Sequence, residues 1–235
     1  PLSVAVAGSV AVVSGGGLVV VDLSNPRAPR RRGATDVTDR LATGLAFDGR
    51  WAYAAAGGGL LTFDVADLDQ PRVTSQLLNV SGIHEIHRVG DTLYAVDGGV
   101  VTALDLTRPG EPRVRATWRR PTGNRALTHG GGTIWLVGAQ GVLRALDLAA
   151  PTGMTTQGEA WFEGMVTSAS IDGDRVAAVT NWQLRRPLLT VFGGAPRPKV
   201  LGQSITADVD QPLGSIVADI DVALHANHLW LTGVA

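Results

Sequence analysis

Short apolar runs, four to seven residues long, recur along this chain and are cut by Gly, Asp and Pro. One stretch reads TGLAFDG, WAYAAAG, LLTFDVA and RVTSQLL in succession, between residues 43 and 78. Each run is rich in β-branched, aromatic or small apolar residues and bounded by turn formers, the pattern of a short strand. Hairpin dipeptides stand at Asp48-Gly49, Asp97-Gly98 and Asp172-Gly173, where the glycine supplies the positive φ of a tight turn. No ten-residue stretch keeps a helical period. The pattern predicts strands throughout.

The runs repeat as a group. GGGLVVVDLSNPRAPRRRG from Gly15 returns as GGGLLTFDVADLDQPRVTSQL from Gly57, GGVVTALDLTRPGEPRVRATW from Gly98 and QGVLRALDLAAPTGMTTQG near Gly141. The aspartates that close the apolar run, Asp22, Asp64, Asp105 and Asp147, lie 42, 41 and 42 residues apart. A degraded fifth copy begins at Leu188, and a half-copy, IDVALHANHLWLTG, begins at Ile220. Pro26, Pro29, Pro71, Pro109, Pro112, Pro196 and Pro198 fall between the third and fourth strand of a unit, where a missing N–H harms no ladder.

A repeat of about 40–45 residues with four strands is the unit of a β-propeller. One such sheet leaves both faces bare, and sheets ranged around an axis cover each other. The expectation is an all-β protein: a β-propeller of four-stranded antiparallel blades, six in number, the last incomplete in this chain. Residues 1–235 form a single propeller domain, with blades at 1–36, 37–80, 81–122, 123–164 and 165–210 and a partial blade at 216–235. The chain begins with Pro1 rather than Met. The last copy supplies only two strands and no spare strand precedes Leu2 to complete it, so the expectation is a piece of a longer polypeptide, or a chain whose missing strands another chain supplies.

The segment GGLVVVDLSNPRAP at residues 16–29 resembles the LVIVD repeat, a propeller-blade family named for that strand. The resemblance is strong in the first three units, fair in the fourth and poor in the fifth. It implies kinship with bacterial and archaeal surface or secreted proteins. The expected setting is therefore extracellular, cell-surface or periplasmic.

Composition narrows the chemistry. Hydrophobic residues make up 45% and charged residues 17% of the chain, and the formal net charge is −1. No global field favours nucleic acid or an anionic membrane. No apolar run approaches the ~20 residues of a spanning helix. Cysteine is absent, so disulfides and thiol chemistry are excluded. Glycine reaches 30 of 235 residues, spread evenly as turns require. There is no G-x-S-x-G and no G-K-[ST] in the sequence.

Candidate chemistry lies in the segments feeding the innermost strands: residues 36–43, 79–85, 119–126, 159–167 and 206–220. Aligning the units puts alanine in one inner-strand slot (Ala5, Ala46, Ala169, Ala223) and histidine there in the third and fourth units, His87 and His129. With His84 and Glu85 nearby, His84, His87 and His129 form a possible divalent-metal set, since imidazole is a common ligand. The competing reading is of satisfied imidazoles that hydrogen-bond a neighbouring blade's backbone. His225 and His228 flank a turn and read as solvated. Asp208, Asp210, Asp219 and Asp221 supply the carboxylates of a calcium loop without its D-x-D-x-D-G spacing. Trp161 and Trp182 read as exposed loop tryptophans, typical anchors for a partner, while Trp51, Trp135 and Trp230 read as core. Arg27, Arg30, Arg31 and Arg32, and Arg113, Arg115, Arg119 and Arg120, fall on outer strands, where cations blunt an edge.

The function expected is a non-catalytic scaffold, secreted or on the cell surface, that binds a protein or ligand through Trp161, Trp182, Asp208 and Asp210, with no cofactor beyond the metal set. The partner is a protein, or a further segment completing the last blade. Two rivals stand beside it: a metal-dependent hydrolase or lyase at the axial face, and a structural subunit docked through the incomplete blade.

Overall fold

The computed structural model describes residues 3–37, 41–78, 80, 82–97, 99–119, 124–130, 133–138, 142–147, 156–161, 165–172, 175–182, 186–193, 197–205, 220–225 and 228–233. Every regular element among them is a β-strand, and the chain divides into two compact units, residues 1–119 and 120–235.

The first unit holds three antiparallel meanders. The first is β1 (Ser3–Ala7), β2 (Val10–Ser14), β3 (Gly17–Asp22) and β4 (Arg30–Asp36). The second is β5 (Leu41–Phe47), β6 (Trp51–Ala56), β7 (Gly59–Asp64) and β8 (Arg72–Leu77). The third is β9 (Glu85–Val89), β10 (Thr92–Val96), β11 (Val100–Asp105) and β12 (Arg113–Arg119). β5 lies against both β1 and β9, so the first strand of each sheet is the inner one. The fourth strands β4, β8 and β12 form the rim and are largely exposed.

Packing explains the sequence of β6. WAYAAA shows no polar alternation because both faces of the second sheet are covered. Ala52, Ala54 and Ala56 join Val12, Leu18 and Phe63 in a core between the first two sheets. Tyr53 and Ala55, pointing the other way, join Leu60, Leu93 and Leu104 between the second and third. The period of two persists but is hidden by burial on each side.

The second unit repeats the plan. β13 (Asn124–Gly130), β14 (Thr133–Gly138), β15 (Val142–Asp147) and β16 (Thr156–Trp161) form the fourth sheet. β17 (Met165–Asp172), β18 (Arg175–Trp182), β19 (Arg186–Gly193) and β20 (Lys199–Ile205) form the fifth. β21 (Ile220–His225) and β22 (His228–Gly233) pair as a two-stranded sixth. Trp135, Leu143 and Ala145 of the fourth sheet meet Val166, Val176, Ala178 and Phe192 of the fifth in one core. β17 lies against both β13 and β21. No helix among the described residues is long and apolar enough to cross a membrane.

Candidate functional site

The recurring aspartate is a turn device. Asp22, Asp64 and Asp105 each accept, through Oδ1, the backbone N–H two residues on, from Ser24, Ala66 and Thr107 at 2.8, 2.9 and 2.7 Å. This Asx turn bends the chain from third to fourth strand. The bonds hold the three carboxyls below the usual range. For Asp22 and Asp105 the backbone donor is the leading cause, and for Asp64 it is the Arg50 guanidinium.

In the first two units the glycine five residues before the aspartate has a steric reason. A Cβ on Gly17 would stand 2.2 Å from the Thr35 carbonyl oxygen, and one on Gly59 1.9 Å from that of Leu77. Gly59 also sits at φ 150°. In the third unit the corresponding residue, five before the aspartate, is Val100.

Neighbouring sheets in the first unit are pinned at the ends carrying the third-to-fourth turns. Arg32 makes a two-pronged contact with Asp69, Nε–Oδ1 2.7 Å and Nη2–Oδ2 2.8 Å, and a longer one with Asp22 at 3.5 Å. The Gly33 N–H donates to the Leu68 carbonyl at 2.8 Å. The Thr74 hydroxyl donates to the Gly110 carbonyl at 3.2 Å. The second and third sheets are further joined by Arg88 and Asp48 at 3.1 Å.

The predicted site residues fall as follows. His87 lies on β9, half-buried, with Nε2 3.0 Å from Glu85 Oε1. His84 precedes the strand, its N–H donating to the Val96 carbonyl. His87 pairs with Tyr94, as Ala46 does with Tyr53. His129 is not the fourth sheet's equivalent. Thr128 pairs with Trp135, while His129 pairs one position along, with Ile134. The alignment missed this because Thr128 and His129 are adjacent and only the ladder fixes which one holds the slot. His84 and His87 belong to the first unit and His129 to the second. Among the described residues, no three His, Asp or Glu side chains gather to hold a metal ion.

Trp161 and Trp182 are strand ends rather than loop residues. Trp161 is the last residue of β16, paired with Val142, and Trp182 the last of β18, paired with Arg186. In both places the ladder runs on into what reads as loop sequence. Trp161 stands 66% exposed. Trp135 is fully buried. Asp208 and Asp210 lie outside the described residues. Arg27, Arg30 and Arg31 are exposed at the rim, as expected of outer-strand cations.

Two features were not legible in the sequence. One is a cavity of about 360 Å³ on the third sheet, opposite the pinned ends, reached by Val80, Asp97, Thr102 and Arg119. The other is Arg144 on β15. It is buried, with Nε on Glu159 Oε1 of β16 at 2.5 Å, and its Nη1 meets no hydrogen-bond partner among the described residues.

The five four-stranded antiparallel meanders, with their first strands innermost, define a β-propeller fold. Residues 2–36 match the LVIVD repeat. The chain is similar over 99% of its length to the β-propeller domain of Cps50 (Swd1) from Myceliophteria thermophila, at 14% identity and a TM-score of 0.73, covering 79% of that domain. It is similar over 88% of its length to Chaetomium thermophilum Sqt1, solved bound to the N-terminus of the ribosomal protein L10, at 15% identity and a TM-score of 0.68. A third likeness is to the N-terminal domain of Nup159, at 14% identity and a TM-score of 0.63 over 94% of this chain. The chain spans 64% of the Sqt1 chain and 65% of the Nup159 domain. Among curated proteins no sequence match was found.

Proposed function

We propose that this protein is a non-catalytic propeller scaffold that binds a protein partner. The observation that carries the reading is Trp161, held at the end of a paired strand yet 66% exposed. A rigid indole presented to solvent loses little entropy when covered and buries a large apolar area, which is why tryptophan recurs at binding hot spots. The Sqt1 fold similar to this one was solved with a bound protein segment, which supports the same use here. Trp182, at the corresponding end of β18, and the acids Asp208 and Asp210 are the further contacts in this reading. The setting, on the resemblance to the LVIVD repeat, is the cell surface, the periplasm or the medium.

The test is a photo-crosslinking residue at position 161 of the natively expressed protein, with a second at Trp135 as the buried control. One partner protein captured from position 161 and none from 135 supports the reading. Equal yields, or none from 161 with the protein correctly folded, overturn it.

A second reading is favoured by the sixth sheet, which has two strands among the described residues where the other five have four. In this reading, strands from a further segment or another chain add beside β22, making the protein a subunit of a larger assembly. Intact mass of the native protein, with its co-purifying chains, tests it. A lone 24.4 kDa monomer overturns it.

A further inference from the structure

The cavity on the third sheet lies along two adjacent cross-strand pairs of β11 and β12, Val100 with Arg119 and Thr102 with Thr117. The inner half of that face, Leu93, Ala95 and Leu104, is packed against the second sheet. Towards the rim the face comes free. Buried Val80, from the connection into the sheet, closes one side, and Asp97 closes the end. Asp97 is held there because its Oδ1 accepts the N–H groups of Gly99 and Val100 at 2.7 and 2.6 Å.

In the first two sheets the motif glycine is required because the fourth strand's carbonyl passes over it. The third sheet carries Val100 there, and its side chain forms the floor of the groove. Val114, Thr117 and Arg119, all exposed, form its outer wall. β12 is the last strand of its sheet, so its outer backbone edge has no strand partner among the described residues. Three arginines, Arg113, Arg115 and Arg119, stand on that one strand.

We infer that β12 takes up an extended acidic peptide of a partner protein, adding it as a fifth strand with one carboxylate on Arg119 and an apolar side chain two residues away against Thr117 and Val114, at the mouth of the groove. Strand addition supplies main-chain hydrogen bonds, and pockets for alternate side chains supply selectivity. Side chains two apart share a face, and Thr117 and Arg119 are two apart, so the segment reads Glu-x-Val or a close relative. The guanidinium fits a carboxylate by a two-pronged contact, and the exposed side chains of Val114 and Thr117 accept a β-branched side chain beside it. This inference rests on the binding role proposed above but uses a different surface, so it stands or falls apart from crosslinking at position 161.

The test is fluorescence polarisation with a labelled, blocked pentapeptide Glu-Thr-Val-Thr-Glu and its lysine counterpart Lys-Thr-Val-Thr-Lys. The acidic peptide is expected to bind and the lysine peptide not to. Arg119→Glu and Val114→Asp, both at exposed positions, are expected to weaken binding at least tenfold, while Arg30→Glu on β4 leaves it unchanged. The inference is overturned by no binding at millimolar protein, by equal binding of the two peptides, or by an Arg119→Glu variant that binds as the parent does. Displacement by oligothymidylate as effective as by unlabelled peptide also overturns it, because the arginines would then be a general anion surface.

Discussion

Arg88 Nη1 lies 3.1 Å from Asp48 Oδ2, tying the inner strand of the third sheet to the β5–β6 turn of the second. Asp48 uses its other oxygen on that turn, accepting the N–H groups of Arg50 and Trp51 at 2.9 and 2.6 Å. One carboxylate thus shapes a hairpin and joins two sheets, and it is mostly shielded from water. Asp48→Ala is expected to cost about 2–3 kcal/mol by urea denaturation, since it frees two N–H groups and strands a largely buried cation. Asp48→Asn keeps the turn acceptor and is expected to cost about half as much.

Gly59 separates steric from entropic effects of glycine. Gly59→Ala puts a Cβ on the Leu77 carbonyl and is expected to destabilise by about 2 kcal/mol or more. Gly57→Ala, two residues earlier in open space, is expected to stay within about 0.5 kcal/mol. Hydrogen exchange should show faster opening of β8 in the first variant alone.

Tyr53 and Tyr94 are the only tyrosines, and burial pushes both phenols up. The folded state favours the neutral form, so this contribution to stability is complete below the unfolded value and is lost as pH rises above about 10. Tyrosinate absorbance is expected to appear together with loss of β-sheet circular dichroism, not before it. The Tyr53 hydroxyl has no hydrogen-bond partner among the described residues, so Tyr53→Phe is expected to leave stability unchanged or raise it by up to about 1 kcal/mol.

The acid limb has the opposite sign. Asp22, Asp64, Asp69 and Asp105 all sit below the usual carboxylate range; for Asp69 the leading cause is the hydrogen bond from Arg32. Their contribution is present above the unfolded value near 3.9 and is lost as pH falls through the lower folded values. The urea midpoint is expected to hold from neutrality to about pH 5 and to fall below about pH 4. Asp64→Asn should flatten that fall, and an unchanged slope would count against the assignment.

Two tryptophans mark the contrast between core and surface. Trp135→Ala is expected to cost about 3–5 kcal/mol, as for a fully buried aromatic. Trp161→Ala is expected to change stability by no more than about 0.5 kcal/mol while removing a tryptophan fluorescence accessible to acrylamide.

The strands and their grouping into four-stranded antiparallel sheets were legible because turn chemistry and apolar runs are local. Gly, Asp and Pro at fixed offsets set where each strand stops, and the spacing of Asp22, Asp64 and Asp105 set the period. The histidine slot was not legible. Thr128 and His129 are neighbours in sequence, and only the ladder with Ile134 and Trp135 separates them. Trp161 and Trp182 read as loop residues for the same reason, since strand ends depend on a partner strand more than on their own composition.

The sequence by itself determined a β-propeller of repeated four-stranded units, because turn formers and a period of two act over a few residues. Tertiary structure decided which apolar residues face which core, as with Ala52 and Tyr53 on one strand. It also decided where a groove lies on the third sheet, beside the valine that stands in place of the motif glycine, and which carboxylate meets which arginine across sheets. Those depend on contacts between residues about 35–40 positions apart, such as Arg32 with Asp69 and Asp48 with Arg88, and no local pattern encodes such pairings.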